Sequence, residues 1–136
     1  MSATRHNAMM LLRIHHVAII CSDYAASKRF YTEILGLCVV AENYRADRQS
    51  YKLDLALPDG SQLELLSFLN PPQRLSFPEA RGLRHLAFEV EDVVAWKARL
   101  EASGVAVEEV RVDAHTHRKF VFFADPDGQP LELYEA

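Results

Sequence analysis

The sequence predicts an α+β fold of two tandem βαβββ modules, and three observations predict it. The chain repeats itself once in register, each copy carries the same order of strand-like and helix-like segments, and the composition is that of one packed domain. His16 opens HVAIICSDYAASKRF and His85 opens HLAFEVEDVVAWKARL, so His, Ala, Asp and Ala recur in step. LPDGSQLELL from Leu57 is echoed by DPDGQPLELY from Asp125. The offset is 69 residues between the histidines and 68 between Glu64 and Glu132. A register kept this closely over both halves marks a structural repeat.

Each module begins with a β-like run, IHHVAII (14–20) in the first. Asp23 and Asp92 follow where a helix N-cap belongs, because a short carboxylate accepts hydrogen bonds from the free amides of a first turn. Phe30, Tyr31, Ile34 and Leu35 then give one helix its apolar face, and Val93, Trp96 and Leu100 give the other. Gly36 and Gly104 close these helices at the position that favours left-handed backbone. Three further strands are expected per module: LCVVAENY, SYKLDLAL and QLELLSF, then VAVEEVRV, KFVFFAD and PLELYE. A Pro-Asp-Gly turn precedes each LEL strand. The boundaries are an N-terminal extension over 1–12 and a single domain over 13–136. Within it, module one spans 13–69 and module two 83–136, joined by a proline-rich segment over 70–82 that is a linker or a site-covering loop.

At 136 residues, with 49% apolar and 25% charged side chains, the chain has the size and balance of one globular domain. A formal charge of −4 without a basic block argues against a nucleic-acid partner. No apolar run reaches the 18 or more residues of a membrane span, and the start MSATRHNAMMLLRI lacks the apolar stretch of a signal peptide. A cytoplasmic location without membrane contact is the expectation. Cys21 and Cys38 lie in apolar strand-like runs without CxxC spacing, which predicts two buried reduced thiols.

A strand histidine taken singly is an ordinary packed residue, and a glutamate in an LEL strand is an ordinary solvent-facing one. Here they recur as equivalent pairs. His16 aligns with His85, while His15 aligns with Arg84, and Glu64 aligns with Glu132. Two imidazoles and two carboxylates from the first and last strands of each module make the donor set of a borderline divalent ion. Four protein ligands on an octahedral ion leave two positions for water or substrate.

The segments HVAIICSD, FYTEILGL, QLELLSF, LRHLAFEVED and FADPDGQPLELYE resemble the vicinal oxygen chelate superfamily over residues 13–135. That superfamily includes glyoxalase I (lactoylglutathione lyase), extradiol dioxygenases, methylmalonyl-CoA epimerase and the fosfomycin and bleomycin resistance proteins. The resemblance implies sheets curled around one divalent metal ion, with nickel, cobalt or zinc favoured over manganese or iron. Its metal positions fall on His16, Glu64, His85 and Glu132, a set similar to glyoxalase I. Family epimerases usually carry Gln where Glu64 stands, and the dioxygenases use two histidines and one carboxylate.

The implied activity is a lyase or isomerase reaction on a small vicinal-oxygen substrate, through a metal-stabilised enediolate. Glu132 is the first candidate base and Glu64 its opposite-face partner. The resemblance also implies a homodimer that builds each site from two chains. Two polar glutathione contacts of bacterial glyoxalase I are replaced, by Ile20 and Phe68, so the resemblance carries the metal centre further than the thiol cosubstrate. Arg118 and Lys119, next to the loop histidines His115 and His117, stand near the site mouth, and Tyr134 shares the strand face of Glu132 in a position to orient it. Two rival activities are an Fe²⁺ dioxygenase and a non-catalytic ligand-binding protein of the bleomycin-resistance kind.

Overall fold

The computed structural model describes residues 9–136. Residues 1–8 of the expected extension lie outside them. The first module contains β1 (His16–Cys21), α1 (Tyr24–Arg29), β2 (Cys38–Arg45), β3 (Ser50–Ala56) and β4 (Gln62–Ser67). The second contains β5 (Leu86–Val90), α2 (Val93–Ala102), β6 (Arg111–Val112), β7 (Lys119–Ala124) and β8 (Pro130–Glu135). Each module is one four-stranded mixed sheet, ordered β1-β4-β3-β2 and β5-β8-β7-β6. The first and last strands pair in parallel, and the other neighbours are antiparallel. The two βαβββ modules are therefore present, and the sheets stay open.

The helix boundaries follow the caps. The Asp23 and Asp92 carboxylates accept from the backbone N–H groups of Ala26 and Ala95 at 3.1 and 3.0 Å. The first helix runs on past Arg29 as a wider π-type turn over Phe30–Ile34, which turns Phe30, Tyr31 and Ile34 into the core. Gly36 and Gly104 have φ of +80° and +83°, the left-handed conformation their positions require.

Alternation along the strands divides each sheet into a packed and an open face. Ile19, Leu53, Leu55, Leu63 and Leu65 from one sheet join Val121, Phe123, Leu131 and Leu133 from the other in one core with both helices. Burying a Leu, Val or Phe side chain in this way contributes about 1.5–3 kcal/mol, so the core alone fixes which strand face is left open.

Two expectations are corrected. The strand predicted over VAVEEVRV is regular only at Arg111–Val112, with an isolated bridge from Val107 to Phe123. The Lys97 ammonium takes the carbonyls of Val107 and Glu108 at 3.3 and 2.9 Å, which diverts them from a ladder. Of the two cysteines, Cys21 is buried and Cys38 is exposed, because Cys38 opens β2 opposite Ala56 on the uncovered face. Burial pushes the Cys21 thiol up to about 11, which makes it a poor nucleophile. The 70–82 segment holds no helix or strand, and Arg74 pins it. Its guanidinium donates to Ser76 Oγ, Gln129 Oε1 and the carbonyls of Leu83 and Arg84.

Candidate functional site

In β1 the core takes Ile19 and Cys21, so His16, Ala18 and Ile20 face the open side. In β4 the core takes Leu63 and Leu65, and Glu64 faces the open side, in register with Ala18. His16 Nε2 stands 3.2 Å from Glu64 Oε2. The second module repeats this. Leu131 and Leu133 turn inward, Glu132 registers with Ala87, and His85 Nε2 stands 3.0 Å from Glu132 Oε1. Both carboxylates are sheltered, with side-chain exposures of 18% for Glu64 and 12% for Glu132.

The structure thus joins the four predicted residues as two His–Glu pairs, one on each open face. Among the described residues, no three His, Cys, Asp or Glu side chains come close enough together to hold a metal ion. Both pairs present an imidazole Nε2 beside a carboxylate oxygen, nitrogen and oxygen donors that suit a borderline divalent ion. Each pair offers half of the expected set.

The surroundings of the two pairs differ. His15 Nδ1 lies 2.9 Å from His16 Nδ1 and fixes the ring so that Nε2 faces Glu64, a role that alignment of His15 with Arg84 concealed. Lys52 Nζ bonds Asp54 at 2.8 Å and approaches Glu64 at 3.7 Å, and the Asp54 contact raises the ammonium pKa above its ordinary value. In the second module the positions of Lys52 and Asp54 are Phe120 and Phe122. The Phe122 ring meets His85 edge-on at a centroid distance of 5.0 Å.

Other candidates are placed elsewhere. Tyr134 does not orient Glu132; its hydroxyl donates to Asp113 Oδ2 at 2.9 Å and pairs with Thr116 Oγ1, closing the β6–β7 hairpin. His115, His117, Arg118 and Lys119 are exposed on and beside that hairpin, His115 and His117 as the loop residues expected. Ile20 lies on the open face in line with His16 and is 52% exposed. Beside His85, a cleft of about 920 Å³ opens under the 70–82 loop, lined by Arg74, Phe77, Arg84, Arg111 and Phe122. Arg111 lies at the end of the expected strand VAVEEVRV, and nothing in its local spacing distinguishes it.

With this geometry in view, residues 13–133 match the model of the Glyoxalase/Bleomycin resistance protein/Dioxygenase superfamily, and the chain belongs to that family. It is 55% identical over 125 residues to YaeR of Escherichia coli (strain K12), covering 92% of this chain and 97% of that protein. The crystal structure of SMU.1112c superposes with a TM-score of 0.88 at 50% identity, covering 93% of this chain and all of that one. An ethylmalonyl-CoA/methylmalonyl-CoA epimerase of Cereibacter sphaeroides is 33% identical over 124 residues, covering 86% and 90% of the two chains. More distant relatives carry the names of a lactoylglutathione lyase, a ring-cleaving dioxygenase and a metallothiol transferase. The family therefore spans several chemistries on one scaffold. No helix among the described residues is long and apolar enough to cross a membrane.

Proposed function

We propose that the chain is a divalent-metal-dependent lyase or isomerase of the glyoxalase I type, acting on a small vicinal-oxygen substrate. The active form in this reading is a homodimer in which His16 and Glu64 of one protomer face His85 and Glu132 of the other. The observation that carries the proposal is the pair of equivalent His–Glu contacts, 3.2 and 3.0 Å, on the open faces of two repeated sheets. Exposed apolar residues support a second copy: Ile20, on the open face in line with His16, is 52% exposed, and Leu11, Ile14, Leu69, Phe77 and Leu83 in the segments outside the strands are all at least 69% exposed. Small-molecule chemistry in the cytoplasm goes with this reading.

Nickel, cobalt or zinc suits the four donors best, with manganese or iron as further occupants. When bound, such an ion would supply Lewis-acid stabilisation to negative charge on the vicinal oxygens of the substrate. Glu132 then moves the proton between the adjacent carbons. It is better suited to this than Glu64, because Glu64 is held by both His16 and Lys52, while among the described residues the ion-pair partner of Glu132 is His85 alone. Phe120 and Phe122 form an apolar wall on that side of the site. Ile20, where bacterial glyoxalase I holds glutathione with an arginine, favours a substrate other than a glutathione adduct.

Elemental analysis of tag-free protein tests the proposal, beside a variant carrying His16→Ala and Glu132→Ala. One divalent ion per chain, lost in the variant, is the expected result. Wild-type protein that holds no metal and gains none on addition overturns the proposal in favour of a ligand-binding protein.

A further inference from the structure

The two modules agree at the His and Glu positions and part company along one row of neighbours that leads from Glu64 or Glu132 to the sheet edge. In the first module this row is Asp54, Lys52 and Asn43, with Lys52 opposite Asn43 across the β2–β3 ladder. In the second, the same positions in the repeat are Phe122, Phe120 and Arg111, with Phe120 opposite Arg111 across β6–β7. An ion pair that satisfies itself in one half is thus replaced by two aromatic rings capped by a cation in the other.

The geometry of that row is built. The Arg111 guanidinium carbon lies 5.3 Å from the Phe120 ring centroid and 5.6 Å from that of Phe122. Phe122 in turn abuts His85, and Phe120 stacks on Tyr134 with an interplanar angle of 13°. Tyr134 is tied down by Asp113. Arg111 is therefore seated on a fixed aromatic platform, one ring away from His85, at the wall of the 920 Å³ cleft.

Its acidic partner is Glu108 at 3.1 Å, and both side chains are more than half exposed, so that contact is weak and exchangeable for a ligand anion. The other arginines of the cleft are engaged. Arg74 spends its donors on Ser76, Gln129 and the carbonyls of Leu83 and Arg84, and Arg84 donates to the Ser76 carbonyl while lying 5.3 Å over Phe77. The acidic Asp127 in the cleft wall accepts from the backbone and hydroxyl of Ser22.

We propose that Arg111 is an oxyanion subsite that selects vicinal-oxygen substrates bearing a carboxylate or phosphate at the end remote from the reacting oxygens. A planar guanidinium with forked donors fits both anions. The substrate oxygens face His85 and Glu132 while the rest of the molecule lies across Phe122. This deepens the proposed function and rests on its assignment of His85 and Glu132.

Calorimetric titration tests it with three probes that share vicinal oxygens: glycerol 3-phosphate, 3,4-dihydroxybutanoate and glycerol. Each is added to the metal-loaded full chain, to Arg111→Met, to Arg111→Lys and to His85→Ala. The expected result is that one or both anionic probes bind wild type at least about tenfold more tightly than glycerol. Arg111→Met removes that preference, and Arg111→Lys restores part of it. The probe that responds identifies the anion as phosphate or carboxylate. Equal binding of all three probes to wild type, or an anionic preference that survives in Arg111→Met, overturns the inference. Metal retained at the wild-type level in His85→Ala overturns the proposed metal site separately, whatever Arg111 does.

Discussion

The Tyr31 hydroxyl donates to Asp125 Oδ2 at 2.7 Å in the buried seam between the modules. Tyr31 belongs to the helical segment of the first module, and Asp125 opens the Pro-Asp-Gly turn of the second. The other carboxylate oxygen of Asp125 accepts from the backbone N–H groups of Asp127 and Gln129 at 2.8 and 2.9 Å. Tyr31→Phe removes the hydroxyl and leaves one oxygen of a buried carboxylate without its donor, a loss of about 1–3 kcal/mol. Urea unfolding of the variant measures that loss, and a midpoint unchanged from wild type refutes it.

Asp125 also carries a pH signature. Burial is the chief cause that raises its carboxyl above the ordinary range, outweighing the hydrogen bonds from Tyr31, Gln129 and Asp127 that act the other way. A carboxyl with a folded pKa above its unfolded value binds protons more readily in the folded state. Its contribution to stability is then greatest in acid and falls as pH rises from about 3.9 through the higher folded value. Asp125→Asn lacks this component, so the difference in stability between variant and wild type shifts in favour of the variant over that interval. Parallel pH profiles of the two proteins in urea unfolding contradict the expectation.

Glu132→Gln separates base from ligand. The amide keeps the shape and an oxygen donor but cannot accept the substrate proton, so turnover of a hemithioacetal or related vicinal-oxygen substrate falls by at least about 100-fold. Glu64→Gln, whose parent side chain is anchored by both His16 and Lys52, weakens metal binding more than it lowers the rate of the loaded enzyme. Steady-state rates and metal titrations on the two variants decide the assignment, and equal rates for Glu132→Gln and wild type remove Glu132 from the base role.

Much of the fold was legible because a repeat states each feature twice. Asp23 with Asp92, Gly36 with Gly104 and the two Pro-Asp-Gly turns confirmed one another, and the structure keeps them in those roles. The same doubling made His16, Glu64, His85 and Glu132 visible as equivalents. Their separation into two pairs was legible only through the family resemblance, whose homodimer builds each site from two chains; the residues alone do not state it, since it depends on how Tyr31, Phe30 and Phe123 pack between modules, a contact between residues about 90 positions apart. Arg111 was hidden for a related reason. Its neighbours Phe120 and Phe122 come from another strand, whereas the basic run Arg118–Lys119, conspicuous in the sequence, stands on an exposed hairpin. Tyr134 shared a strand face with Glu132, yet its hydroxyl reaches the hairpin.

The division into two pairs makes the proposed shared site open to a complementation test. A protomer carrying His16→Ala and Glu64→Ala lacks the first half-site, and one carrying His85→Ala and Glu132→Ala lacks the second. Neither homodimer forms a complete four-ligand site. In a mixed dimer with sites shared across the twofold axis, the intact second half of one protomer meets the intact first half of the other, while the two damaged halves meet each other. Random reassociation of equal amounts places half of all chains in mixed dimers with one good site of two, so about a quarter of the wild-type metal content returns. Metal analysis after mixing, unfolding and refolding the two variants together reads this directly. Sites built within one chain give no recovery at all, because every protomer in the mixture has lost one of its two His–Glu pairs.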